Sequence, residues 1–405
     1  MSRLVHRTSR TVVTVLDPHG APLADTDVTV AQTRHAFGFG CTGFEFIRRT
    51  PGESAPLEDL WLGLFDTATL PFYWRHFEPE PGRIRTEPLR DAARRLTELG
   101  VRVKGHPLMW HTLAPRWLLE HSNDEVERLQ RDRITREVSD FAGLVDTWDA
   151  INEVVIMPVF RAEENAITRL AWEKGRIATI KLAFDTARAA NPHATLLLND
   201  FDMSTAYECL IEGVLEAGVR IDALGLQSHM HQGWWGEEKT ARVLERFSRF
   251  GLPLHFTETT LVSGHLMPPE IDDLNDYQVD SWPSTPEGEA RQADELVRHY
   301  QLLVEHPAVQ TITYWGLGDA GAWLGAPAGL VRADGTPKPS YTALRDLVRG
   351  QWWHAPQVLR TDASGRVAVE GWRGDYEVRL GEATSAFVVG DEATSVRLPA
   401  AVPAA

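Results

Sequence analysis

The sequence predicts an α/β fold, a (β/α)8 TIM barrel with a small β-domain formed from the N- and C-terminal segments. Three observations lead there. Eight strand-like segments alternate with amphipathic ones through the middle of the chain; the residues that end those strands are polar or aromatic; and both chain ends carry short β-branched runs broken by glycine and proline. The strand candidates are residues 35–44, 65–74, 101–110, 147–153, 195–200, 223–229, 254–259 and 311–317. Helical spacing fills most gaps: Leu89, Ala92, Ala93, Leu96 and Leu99 recur on one face of residues 87–99 before Gly100, and residues 288–306 repeat the pattern. Strand followed by helix implies parallel pairing, and eight such units close a barrel. An open doubly wound sheet is the competing architecture.

The chain ends read differently. Residues 11–16 and 27–30 flank Asp17-Pro-His-Gly20, which is a hairpin signal, and residues 366–370, 376–380 and 386–389 alternate around glycine-rich turns. A lone hairpin is marginal in water, so the two ends are expected to pair into one β-domain. The predicted division is 1–34, N-terminal β segment; 35–350, barrel; and 351–405, C-terminal β segment.

Composition narrows the function. With 405 residues, 43% hydrophobic and 24% charged, the chain is an ordinary globular sequence, and its formal charge of −16 disfavours nucleic acid or an anionic membrane as partner. No run approaches the roughly 20 apolar residues of a membrane span. Two cysteines, Cys41 and Cys209, make neither a disulfide framework nor a CxxC pair. The basic N-terminus leads into no apolar stretch of signal-peptide length, so a cytoplasmic location is expected, with secretion following only from a mis-assigned start. The oligomeric state is left open.

In a barrel of this kind the chemistry sits where the strands end. Here those ends carry His106 and Trp110, Asn152 and Glu153, Asn199 and Asp200, Gln227 and His229, Glu258, and Trp315 with Trp323 beyond it. Glu153 and Glu258 end the fourth and seventh strands and are placed to face each other across the mouth. A glycosidic bond needs such a pair: one carboxyl to protonate the departing oxygen, another to attack the anomeric carbon. The tryptophans offer flat faces to pyranose C–H groups, while Asn152, Gln227, His106 and His229 can bond hydroxyls. Trp148, before the strand end, reads as core filler.

These motifs resemble glycoside hydrolase family 10, the retaining β-1,4-xylanase family, from about residue 61 to about residue 347. The likeness rests on Glu78-Pro-Glu-Pro-Gly82, Gly105-His-Pro-Leu-Met-Trp-His111, Trp148-Asp-Ala-Ile-Asn-Glu153, Leu198-Asn-Asp200, Gly225-Leu-Gln-Ser-His229, Thr257-Glu258, and Tyr314-Trp-Gly-Leu-Gly-Asp319 with Trp323. It implies Glu153 as acid/base and Glu258 as nucleophile. It implies Asn152 on the sugar 2-hydroxyl, Gln227 and His229 orienting the nucleophile, and His106 and Trp110 as sugar contacts. An oligosaccharide or polysaccharide substrate and no cofactor are implied as well. The flanking β segments, with residues 32–35 leading into the barrel, resemble those of plant-type and some bacterial members.

Two departures bear on the substrate. Where the family ends strand two with Glu-Asn-x-x-Lys, this chain has Thr69-Leu70-Pro71-Phe72-Tyr73, so Leu70 and Tyr73 replace an amide and an amine and imply a different or shorter glycone. Where the family has Thr-Glu-Leu-Asp, this chain has Thr257-Glu258-Thr259-Thr260, which removes the usual carboxylate partner of His229. Other readings of the sequence remain open. Gly38-Phe-Gly-Cys-Thr-Gly43 fits a dinucleotide fingerprint if a helix opens there. His229 and His231 with His106, His111 and the glutamates supply zinc-type ligands for a metal-dependent barrel hydrolase, although no metal is expected. A non-catalytic sugar-binding barrel is the third.

Overall fold

The computed structural model describes residues 4–47 and 55–399. Contacts divide the chain into two compact units, residues 1–39 with 342–405, and residues 40–341.

The first unit is a β-sandwich. Strand β1 (Thr8–Leu16) and strand β2 (Asp27–His35) come from the N-terminal segment. The C-terminal segment adds β11 (Gln357–Arg360), β12 (Arg366–Trp372), β13 (Gly374–Leu380), β14 (Ala383–Val389) and β15 (Thr394–Arg397), numbered in chain order. One sheet has the order β12-β1-β15 and the other β11-β2-β13-β14. The expected hairpin is therefore corrected: β1 and β2 lie in different sheets, each paired to strands from the far end of the chain. The cause is the alternation itself. Val13 and Val15 of β1 and Val28 and Val30 of β2 enter one core from opposite sides, with Val369, Tyr376, Val378 and Val389. The Asp17 carboxylate accepts from the His19 and Ala21 amides and starts the connection between them.

The second unit carries the closed parallel barrel, in the order β10-β3-β4-β5-β6-β7-β8-β9. Its strands are β3 (Gly38–Thr42), β4 (Thr67–Pro71), β5 (Arg102–His106), β6 (Thr147–Asn152), β7 (Thr195–Asp200), β8 (Ala223–Met230), β9 (Leu254–Leu261) and β10 (Val309–Tyr314). The (β/α)8 expectation holds, and each of the eight strand candidates overlaps a barrel strand. The first begins later than expected, because His35 pairs with Gly374 at the end of β2.

Helices between strands follow the sequence signals. Helix Glu87–Glu98 buries Leu89, Ala92, Ala93 and Leu96, and Gly100, at φ +76°, lets the chain turn into β5. Helices Asn123–Asp140 and Pro286–Glu305 begin at Ser122 and Thr285, whose hydroxyls accept amides of the first turn. Among the described residues no helix is long and apolar enough to cross a membrane.

The glycine fingerprint resolves as packing. A Cβ on Gly40 would meet Thr313 Oγ1 and the Thr67 carbonyl at 3.0 Å, and one on Gly43 would meet Leu70 at 3.2 Å. The chain continues into the short 3-10 turn Phe44–Phe46, so no helix opens to receive a phosphate.

Candidate active site

The polar residues expected at the strand ends do meet at one mouth of the barrel. Their scaffold is an amide bridge. Asn199, closing β7, donates from Nδ2 to Asn152 Oδ1 at 2.7 Å and to Glu258 Oε1 at 3.0 Å, while its Oδ1 accepts from Thr257 Oγ1 at 2.6 Å. Gln227 donates to Asn152 Oδ1 at 3.1 Å and to Glu153 Oε1 at 3.4 Å. The two carboxylates are thus tied, through Gln227, Asn152 and Asn199, into one network.

Each glutamate has its own surroundings. Glu153 follows β6 and accepts from Trp110 Nε1 at 2.8 Å and Asn152 Nδ2 at 3.1 Å. His111 Nε2 stands 3.8 Å away; burial lowers that imidazole to about 3, so it brings no positive charge. Burial, then the charge of Glu258, pushes the Glu153 carboxyl up to about 8. Glu258, on β9, has His229 Nε2 at 3.1 Å and His106 Nε2 at 3.9 Å. Burial alone would raise it as well, but the facing His106, the bond and charge of His229, and Lys104 outweigh that and hold it below its ordinary value. One carboxyl therefore keeps its proton at neutral pH and the other is ionised.

Cations and rings complete the site. Asp149 accepts from Lys104 Nζ and His106 Nδ1, both at 2.7 Å, which turns His106 Nε2 toward Glu258. Trp315 stands edge-on to His106 at 5.1 Å between ring centroids, Trp323 lies 5.0 Å from His229, and Tyr73 lies 5.8 Å from Trp110. The Arg133 guanidinium donates to the carbonyls of Phe72 and Pro107 and so fixes the segments that carry Tyr73 and His106. Lys338 binds Asp319 Oδ1 at 2.7 Å and steadies the loop between Trp315 and Trp323.

The two departures have clear positions. Leu70 is fully buried and offers the cleft nothing polar. Burial, then the charges of Glu258, Glu153 and Asp149, raises the Tyr73 phenol, so it stays a neutral group beside both carboxylates. Thr260 Oγ1 lies 3.3 Å from His229 Nδ1 and 3.5 Å from His231 Nδ1, a hydroxyl at the position noted above as departing from a carboxylate.

Trp148 is core: it is fully buried and donates to the Val145 carbonyl at 3.1 Å. Among the described residues no three His, Cys, Asp or Glu side chains are grouped to hold a metal ion. Sequence reasoning missed the bridging role of Asn199 and the Lys104–Asp149 pair. It also missed Phe44, an exposed ring 6.4 Å from Trp315. The signal for Asn199 was present, since two polar residues end an otherwise leucine-rich strand.

Gly225 lies against that bridge. A Cβ there would overlap Asn199 Oδ1 and stand 2.9 Å from its Cγ. Gly225→Ala is expected to cost about 1–3 kcal/mol in stability through overpacking. By pushing the Asn199 amide off both partners it should also lower kcat by roughly 10–100-fold. Paired thermal melts and initial rates check this; a destabilised variant with full kcat would deny Asn199 its positioning role.

Comparison with known proteins bears on the family and the fold. A family profile described as glycosyl hydrolase family 10 matches residues 71–347. Endo-1,4-beta-xylanase B of Thermotoga neapolitana is 28% identical over 290 residues, covering 68% of this chain and 78% of its own. An endo-1,4-beta-xylanase of Geobacillus stearothermophilus is 26% identical over 273 residues, covering 62% and 76%. Among solved structures, xylanase 10B of Thermotoga petrophila in complex with xylobiose superposes with a TM-score of 0.63 at 23% identity, over 78% of this chain and 95% of that one. Native xylanase 10B of Thermotoga maritima gives 0.63 at 23%, over 78% and 96%. At that identity the structures speak for the fold alone.

Proposed function

The chain belongs to glycosyl hydrolase family 10, and from that membership we propose that it cleaves β-1,4-linked xylo-oligosaccharides and xylan-type polysaccharide, with Glu258 as nucleophile and Glu153 as acid/base. It is an O-glycosyl hydrolase of the retaining, endo-xylanase-like kind. The observation that carries the assignment of roles is the contrast between the carboxyls: Glu258 held below its ordinary range, Glu153 raised to about 8.

The chemistry proceeds in two displacements. Glu258 attacks the anomeric carbon as the C1–O bond breaks, and Glu153 gives its proton to the departing oxygen, leaving a glycosyl ester on Glu258. Water then attacks the same carbon while Glu153, now ionised, takes its proton, and the sugar leaves with its β configuration. Asn199 and His229 hold Glu258 in line. Asn152 is assigned to the 2-hydroxyl, with His106, Gln227 and His229 as further polar contacts. Trp110, Trp315, Trp323 and Tyr73 supply the faces on which the sugars rest. At the strand-two end, buried Leu70 and neutral Tyr73 in place of an amide and an amine support a glycone side that grips fewer hydroxyls.

The sign of the pH dependence comes from the same contrast. Activity needs Glu258 ionised and Glu153 protonated, so kcat/KM should rise with pH through the Glu258 ionisation, which His106 and His229 hold below the ordinary carboxylate range, and fall again near pH 8. A profile with its alkaline limb near 5 would contradict the environment assigned to Glu153. The substrate assignment is tested by hydrolysis of a panel of aryl β-glycosides and xylo-oligosaccharides. Turnover of the xylosides is expected. Turnover confined to another β-glycoside would move the substrate and point to Leu70 and Tyr73.

A further inference from the structure

Glu153 is presented by an unusual backbone. Its φ is +56°, in the left-handed region that residues with a side chain avoid. Its own amide donates to the Asn199 carbonyl at 2.9 Å, which sets it beside the end of the neighbouring strand β7. The residue after Asn199 is Asp200, fully buried. Asp200 Oδ2 accepts the amide of Val155, two residues past Glu153, at 3.0 Å, and Oδ1 accepts the amide of Asp202 at 3.0 Å. The Val155 carbonyl is held in turn by Arg176 Nε at 2.8 Å. Among the described residues no cation forms an ion pair with Asp200.

We propose that Asp200 is a positioning residue for Glu153, clamping the chain just beyond it and setting the pH range over which Glu153 works as an acid. The proposal rests on the acid/base reading of Glu153. A carboxylate suits the clamp because both of its oxygens accept, whereas an amide would turn an N–H toward one of the two backbone donors. A neutral anchor would satisfy that need only in part, and it would not add charge. Asp200 is among the groups that raise Glu153, after burial and Glu258.

Burial raises Asp200 itself to about 7, in the same range as Glu153, so the two carboxyls titrate as a coupled pair in which each charge opposes the other. The other groups facing this pair are few. His111 lies by Glu153 and is neutral, Glu258 and the Tyr73 phenol face it across the mouth, and Asp202 and the Tyr207 phenol lie by Asp200. Arg176 is bound to the Val155 carbonyl. The two displacements use Asp200 in no chemical step; it touches neither sugar nor reacting atom.

The test compares Asp200→Asn and Asp200→Ser with the wild type on xylotetraose, whose leaving group needs a proton, and on a dinitrophenyl β-xylobioside, whose leaving group does not. The alkaline limb for xylotetraose should move down by about one pH unit, with roughly tenfold less turnover near pH 8. Cleavage of the aryl glycoside should change by no more than about threefold. A limb that stays where the wild type has it, or equal loss on both substrates at every pH, would overturn the proposal and leave Asp200 a fold-holding residue.

If neither variant folds, the coupling is read from the other side. In Glu153→Gln, with Asp200 untouched, carbon-13 carboxyl titration should show Asp200 titrating lower than in wild type, since coupling between two sites is reciprocal. An unchanged Asp200 titration would count equally against it. Failure of the underlying reading looks different. Glu153→Ala would then lose activity equally on both substrates, whatever Asp200 does.

Discussion

Glu258→Ala is expected to lose roughly 10⁴-fold or more in kcat on every substrate, activated or not, the scale on which removal of a catalytic nucleophile is felt. That corresponds to about 5 kcal/mol of transition-state stabilisation. The loss should not depend on the leaving group, because no glycosyl ester forms whichever aglycone departs. Azide, small enough for the space vacated by the carboxylate, should restore turnover of an activated glycoside and yield the glycosyl azide of inverted configuration. The fold should survive. Asn199 keeps Asn152 as a partner, and His229 keeps Thr260. Initial rates with and without azide, and the anomer of the product, check the prediction.

Glu153→Ala should behave differently on each point. On xylo-oligosaccharides kcat is expected to fall roughly 10²–10⁴-fold, the range for removing a general acid. On a dinitrophenyl glycoside the bond-breaking step should barely change, since that oxygen leaves unprotonated. The second step, which needs a base, should become limiting, and a burst of released phenol should appear. Azide should relieve it and give the glycosyl azide with configuration kept. The alkaline limb near pH 8 should disappear with the group that causes it. Equal losses on the two substrates would remove Glu153 from the acid/base role.

Much of the fold and the site is legible in the sequence because barrel and site share one pattern. Strands buried on both faces read as apolar runs, and the departure from that run at each end marks where the chemistry lies. Leu196-Leu-Leu198 followed by Asn199-Asp200 shows it most plainly. The features that escape depend on contacts between strands. Lys104 reads as one polar residue in a strand until Asp149 of the adjacent strand is seen to pair with it. Asn199 reads as a strand end until its amide is seen bonding two other strand ends at once. The β1–β2 connection fails for a related reason: turn chemistry between two β-branched runs predicts a reversal of the chain, not which sheet receives the second strand. Thr260 reads as a loss in the sequence, and the structure gives it a use, because its hydroxyl lies within reach of both His229 and His231.

The central claim is that Glu258 becomes covalently bonded to the sugar. The most direct measurement is inactivation by a 2-deoxy-2-fluoro-β-xylobiosyl fluoride, whose fluorine at C2 slows both formation and hydrolysis of the ester while its good leaving group at C1 keeps formation the faster step. Intact-mass and peptide analysis then locate the adduct. One fluoroxylobiosyl group per chain, carried by the peptide that contains Glu258 and absent from Glu258→Gln, is the predicted result. An adduct on any other residue, or no adduct in an enzyme that turns over xylo-oligosaccharides, would contradict it.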